Sequence, residues 1–332
     1  MGVRKKEFYM NTKNQKWLTD RGFTLVELMV AMAISLLVMG AIFLTFKSQQ
    51  DSYIIQDQIT ATQQNLRAAM YILTRDIQMA GYYTNFDDNQ YTMDWDDLDG
   101  DNEIIRPLIY ARNNVADGGG DNIKDNTDVI VIVKANRKEG RRLKSGEDAT
   151  AGIITLTDRY LDTKVGDDLN NTDKKYGVLA KEDLSAAEFF EVDSAAGTIT
   201  PPGGLTQNYD VEDWIFRADV IIYRIDENAT NPSLRRRNLG SDNGYQVVAE
   251  NIDNLQFRYL LSDGTWTNDP SATGQEPNVR AVEIFLLART ANTNRGYTDT
   301  NTYNIGDVNP TPNDAYRRKL LCSIVKTRNI GL

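Results

Sequence analysis

The sequence predicts an α+β fold, in which a long N-terminal helix lies against a large antiparallel β-sheet. Residues 23–80 contain no proline, and their apolar side chains suit a helix. From Val129 onward, short β-branched runs are bounded by turn residues, which is the pattern of strands. Because the helix and the strands occupy separate parts of the chain instead of alternating, the sequence favours α+β over a parallel α/β fold.

The most apolar stretch, residues 23–46, contains a single ionisable side chain, Glu27. A helix of that length spans roughly 36 Å at about 1.5 Å per residue, enough for a bilayer core of about 30 Å. Residues 1–22 carry six basic residues against two acidic ones, a balance that favours a cytoplasmic N-terminus and an exported remainder. The stretch is therefore predicted to span the inner membrane once. There are two alternatives: an ordinary membrane anchor in which Glu27 has no role, and a secretory signal cleaved near residues 31–33.

Beyond the apolar stretch the helix is predicted to become amphipathic. Polar residues begin at Lys47, and Gly81 is the predicted stop. The second half, residues 47–81, is expected to lie against a β-rich domain formed by residues 82–332. The apolar residues that draw one stripe along this half are Ile55, Ile59, Leu66, Met70, Leu73, Ile77 and Ala80.

An acidic segment follows the helix. Asp97, Asp99 and Asp101 alternate around Gly100, which resembles the first half of a calcium-binding loop. The pattern departs from an EF-hand, because the sixth position holds Asn102 instead of glycine and the twelfth lacks its glutamate. A solvated acidic loop is the favoured interpretation, and a weak calcium site formed by the three aspartates is the alternative. No other cofactor is predicted.

The strands of the C-terminal part are predicted from short apolar runs. Residues 255–267 read as a hairpin turning at Asp263-Gly264, whereas residues 185–190 suggest a short helix. The remaining predicted strands are 129–133, 152–157, 218–225, 245–249, 279–289 and 320–326.

Composition excludes several classes of function. The chain has 332 residues, a formal net charge of −10 and no histidine, so Ser-His-Asp and Cys-His catalysis and His-ligated zinc are excluded. No nucleophile-elbow, phosphate-loop, dinucleotide or C-x-x-C motif is present, and we expect no enzyme. An acidic exported domain also argues against nucleic-acid binding. The single cysteine, Cys322, rules out an intrachain disulfide and is expected to be a small buried hydrophobe.

The residues at the start of the apolar stretch resemble the class III signal of type IV prepilins. A basic segment is followed by Gly22, Phe23, Glu27 and the apolar tract, in that order. The resemblance implies that residues 1–22 are a leader, that a prepilin peptidase cuts after Gly22, and that Phe23 becomes N-methylated. It also implies that Glu27 neutralises the new amine of a neighbouring subunit during assembly. Apposed opposite charges cost less in hydrocarbon than isolated ones, so this pairing would set the register between helices.

Later segments resemble PilW-type minor pilins, and the 255–267 hairpin also resembles GspJ-type pseudopilins. The segments that carry the PilW resemblance are 219–225, 234–236, 251–259, 282–290 and 316–329. The resemblance implies a subunit that helps to initiate a type IV pilus and lies at or near its tip, on an extracellular filament. Its implied partners are other minor and major pilins, contacted through the helix, the prepilin peptidase, an assembly ATPase and an inner-membrane platform. A pseudopilin of type II secretion and a tip adhesin with ligand-binding acidic loops stay open as alternatives.

Overall fold

The computed structural model divides the chain into two compact units, Met1–Ile55 and Gln56–Leu332. The residues that it describes are 22–83, 91–94, 102–105, 108–116, 122–136, 138, 140–150, 152–157, 175–183, 185–192, 198–199, 205–227, 231–239 and 244–330. Each unit is treated by itself below.

One helix, α1, runs from Leu25 to Gln78, two residues shorter at each end than predicted. In the N-terminal unit its side chains are exposed almost throughout. In the C-terminal unit the predicted stripe is confirmed, because Leu66, Met70, Leu73 and Ile77 are buried and Ile59 is half-buried. The part of α1 after Gln56 therefore forms one layer of the C-terminal unit.

Strands are the main regular secondary structure in the described part of the C-terminal unit, and every pairing between them is antiparallel. Their bounds are β1 (Tyr91–Asp94), β2 (Asn102–Ile105), β3 (Ile109–Val115), β4 (Thr127–Ala135), β5 (Arg141–Arg142), β6 (Asp148–Thr150), β7 (Ile153–Thr155), β8 (Lys175–Ala180), β9 (Ala187–Val192), β10 (Thr198–Ile199), β11 (Trp214–Asp226), β12 (Ser233–Asn238), β13 (Gln246–Glu250), β14 (Ile252–Leu261), β15 (Trp266–Thr267), β16 (Val279–Arg289) and β17 (Arg318–Lys326).

Two sheets carry the architecture. The larger has the order β13-β12-β11-β4-β3, and the start of the long strand β11 also pairs with β5 and β8, the latter extended by β9. The smaller has the order β15-β14-β16-β17. The small sheets β1-β2 and β10-β7-β6 complete the described strands.

The main core lies between α1 and the inner faces of both large sheets. Leu66, Leu73 and Ile77 of the helix share it with Ile130 of β4, Phe257 of β14 and many others. The alternate residues of β4, among them Val131, face a second core on the other side of the larger sheet. Burial on both faces explains why residues 129–133 read as an unbroken β-branched run.

Two predictions for this unit are wrong. The segment 185–190 forms part of β9 instead of a helix, because its backbone pairs with β8 and the ring of Phe190 packs over Gly177. Cys322 is exposed, because β17 is an edge strand whose outer face is only partly covered. The predicted hairpin is confirmed by the pairing of β14 with β15.

Candidate functional site

The residues of the resemblance lie at the start of α1. Gly22, Phe23 and Thr24 precede the helix, which begins at Leu25. The backbone N–H and the hydroxyl of Thr24 both donate to Oε2 of Glu27, at 2.9 Å each, and the N–H of Glu27 donates to Thr24 Oγ1 at 3.2 Å. This reciprocal arrangement is a capping box, which satisfies otherwise unpaired donors at the first turn. Thr24 and Glu27 thus fix where α1 begins.

The first turns of α1 present an apolar surface. Phe23 is 89% exposed and Leu37 is 75% exposed, and the other large apolar side chains up to Phe46 are exposed as well. Among the described residues, α1 is the helix that is long and apolar enough to cross a membrane. The hydroxyls of Ser35 and Thr45 donate to backbone carbonyls four residues earlier, at 2.8 and 2.9 Å. These polar groups therefore need no water, and the surface suits lipid or similar helices.

A buried ionic cluster, absent from the sequence-based predictions, joins the last turn of α1 to the larger sheet. Asp76 is 6% exposed. Its Oδ1 accepts from Lys134 Nζ of β4 at 2.7 Å, and its Oδ2 accepts from Tyr223 of β11 at 2.6 Å and Arg236 of β12 at 3.0 Å. Burial opposes ionisation, but Lys134, Tyr223 and Arg236 hold the pKa of Asp76 below its usual value. The sequence signal for this cluster is Asp76 itself, an acidic residue between Leu73 and Ile77 in the apolar stripe of the helix.

A second cluster anchors the loop between β16 and β17. The side chain of Arg318 is 2% exposed. It donates to Asp253 Oδ2 of β14 at 2.7 Å, bidentately to Asp314 of the loop at 2.6 Å, and lies 3.4 Å from Asp299. Hydrogen bonds from Arg318 hold the pKa of Asp314 below its usual value. Planar bidentate pairing of this kind is strong and directional, so Arg318 ties the loop to the smaller sheet without a disulfide.

The calcium site predicted from the sequence belongs to the acidic segment that follows α1. Asp97, Asp99 and Asp101 lie outside the described residues. Within the part of the chain that the structure describes, no three cysteine or carboxylate side chains lie close enough together to hold a metal ion. The calcium site at these aspartates stays a prediction.

Comparison with known proteins gives two family matches. Residues 222–329, which begin within β11 and include β12 to β17, match the model of Type IV Pilus-assembly protein W. Residues 18–43, which include Gly22, Phe23 and Glu27, match the prokaryotic N-terminal methylation motif. No curated protein matches the sequence. Among solved structures, a type IV-like pilin from Thermus thermophilus is similar over 81% of this chain and 98% of its own, with 13% identity and a TM-score of 0.34.

Proposed function

From the two family matches, which support a type IV prepilin-like minor pilin, we propose that this chain is cut after Gly22 and joins a type IV pilus. The new N-terminus on Phe23 is methylated by the same processing. The chain then acts as a structural subunit, not as an enzyme. Before cleavage and assembly, the chain lies in the inner membrane with residues 1–22 on the cytoplasmic side and its C-terminal unit exported.

The observation that carries the proposal is the combination of groups at the start of α1. The helix exposes apolar side chains from Phe23 to Phe46, with one carboxylate, Glu27, held at the first turn by Thr24. A charge at mid-membrane costs about 2.5–3.5 kcal/mol on insertion scales. Cleavage creates a cationic amine near that carboxylate. Pairing the amine of one subunit with Glu27 of another lowers this cost and sets the register between packed helices.

The size of the C-terminal unit supports a proposal for the place of this subunit in the filament. A large domain is awkward to repeat at close spacing along a thin filament of packed helices, but it is easily placed once at an end. We therefore assign the subunit to initiation of the pilus and to a position at or near its tip, in contact with other minor pilins. A pseudopilin of type II secretion would share the processing and the helix. The match to the pilus-assembly model over residues 222–329 favours the pilus.

A deletion strain separates these two assignments. We expect loss of surface pili, counted by electron microscopy, with unchanged secretion of exoproteins into the medium. Re-expression of the full chain should restore piliation, and an unprocessed variant should not. Lost secretion with normal pili would contradict the assignment to a pilus and support the pseudopilin.

A further inference from the structure

Asp128 and Asp307 differ from the ion-paired carboxylates of the C-terminal unit. Asp76, Glu147 and Asp253 each pair with a lysine or an arginine. Neither Asp128 nor Asp307 forms an ion pair with any basic residue in the described ranges, although Asp128 is only 2% exposed. Asp307 lies on the surface, so a solute can reach it.

A β-bulge brings two amides to this place. The register of β3 against β4 shifts between Arg112 and Val115, and Asn114 adopts a positive φ of 49°. Asn113 and Asn114 both donate through Nδ2 to Oδ2 of Asp307, at 2.8 and 3.0 Å. Bulges of this kind redirect side chains and recur beside functional sites.

The bulge also positions Asp128 beside the smaller sheet. Oδ1 of Asp128 accepts from the backbone N–H of Asn114 at 2.9 Å, and its Oδ2 accepts from the N–H of Phe257 in β14 at 2.7 Å. These bonds place the buried carboxylate between the bulge and β14, next to the residue that precedes Phe257.

Gln256, the residue before Phe257, provides an observation that is independent of the two carboxylates. Its side chain is fully buried, and its Oε1 has no hydrogen-bond partner. Its Nε2 donates to Asn126 O at 2.9 Å, which a carbonyl oxygen could not do, so the orientation of the amide is fixed. Oε1 lies close to Gly306, because a Cβ placed on that glycine would be 3.5 Å from it. Gly306 directly precedes Asp307. An unpaired buried acceptor is normally destabilising, so an occupant that it can bind is expected.

The oxygens of the bulge amides are also unpaired. Oδ1 of Asn113 and Oδ1 of Asn114 are buried and have no hydrogen-bond partner, whereas Nδ2 of each side chain donates to Asp307. The locus therefore combines three unpaired amide oxygens with two carboxylates that lack a counter-charge. Carboxylate and amide oxygens are the ligands that Ca²⁺ takes, in a flexible geometry that Mg²⁺ does not accept.

We propose that Asp307, Asn113, Asn114 and Gln256 form a site for a calcium-like divalent cation, with Asp128 supplying a second negative charge beside it. The amide nitrogens of Asn113 and Asn114 face Asp307 when the site is empty, so both amides turn over when the cation binds and present their oxygens to it. None of these residues belongs to the acidic segment around Asp97 in the sequence. With so few carboxylates, its affinity belongs in the range of weak extracellular calcium modules, a Kd of roughly 10⁻⁴–10⁻³ M.

Calorimetric titration of the full chain in detergent with CaCl₂, after treatment with EDTA, tests the proposal. We expect saturable binding in that range and a rise in Tm that MgCl₂ does not reproduce. Asp307→Asn should weaken binding roughly tenfold or more. Asp57→Asn, at an exposed position on α1, is the matched control and should bind as the unsubstituted chain does. Absence of binding, or equal binding by D307N, overturns the proposal.

A second variant keeps the test decisive if D307N fails to fold. Asn113→Asp replaces the amide that contacts Asp307 with a carboxylate, so two like charges face each other unless a cation lies between them. We expect a lower Tm in EDTA and recovery in CaCl₂, which a purely structural role of Asn113 would not produce. Lack of recovery contradicts the proposal. Loss of all calcium binding in a variant that carries Asp97→Asn, Asp99→Asn and Asp101→Asn also contradicts the proposal, because the acidic segment would then be the calcium-binding site.

Discussion

Replacing Glu27 with glutamine is expected to reduce piliation to the level of a deletion strain, with the protein still inserted in the membrane. Glutamine is nearly isosteric and keeps an oxygen that can accept from Thr24, so the start of α1 is preserved. It lacks the negative charge that we propose neutralises the amine of Phe23 on a neighbouring subunit. The helix would then lose the ionic contact that sets its register, while its apolar surface stays intact.

The measurement is a count of surface pili together with the amount of the protein in membrane fractions. Ser35→Ala is the matched control, since Ser35 lies on the same apolar segment and its hydroxyl bonds only within the helix. We expect normal piliation for the control and the same defect for Glu27→Ala as for E27Q. Normal piliation in E27Q cells would show that the charge of Glu27 has no part in assembly.

Replacing Asp76 with alanine is expected to destabilise the C-terminal unit by about 3–5 kcal/mol. The substitution leaves Lys134 and Arg236 partly buried without their carboxylate, and it removes the acceptor of the Tyr223 hydroxyl. Urea unfolding of the full chain in detergent, followed by tryptophan fluorescence, measures the change. Asp57→Ala on an exposed face of the same helix is the control, and we expect a change within about 0.5 kcal/mol.

The pH dependence of this difference gives a second check. The pKa of Asp76 is lowered in the folded state from a usual value of 3.8. Its contribution to the free energy of unfolding is therefore fully present above pH 3.8, and it is lost as the pH falls through the lower folded value. The gap between D76A and the unsubstituted chain should narrow below pH 3.8. A constant gap, or a change under about 1 kcal/mol at neutral pH, would contradict the cluster's role.

The parts of the fold that the sequence predicts best are those in which one periodicity dominates. The apolar stripe of α1, the doubly buried strand β4 and the strand β16 follow directly from spacing and β-branching. The sequence does not predict strands β3 and β12, because their residues include asparagines and arginines that interrupt the apolar pattern of a strand. Those polar residues serve the bulge and the Asp76 cluster.

The two wrong predictions have the same physical cause, because each concerns a segment whose state depends on pairing with residues distant in sequence. The exposure of Cys322 depends on which strand is at the edge of the smaller sheet, and the strand at 187–192 depends on its pairing with β8. Likewise, Asp76 pairs with residues distant in sequence, and so does Arg318 in its contact with Asp253. By contrast, Gly22, Phe23 and Glu27 lie in a local motif, residues 18–43, so the candidate site is predicted from the sequence without the fold.

The most direct measurement of the central claim is mass spectrometry of the N-terminal peptide, using protein purified from cells that have an active prepilin peptidase. We expect a chain that begins at Phe23 and carries a methyl group on its amine. A chain that keeps residues 1–22 under those conditions would contradict the account, since no amine would then be available to pair with Glu27.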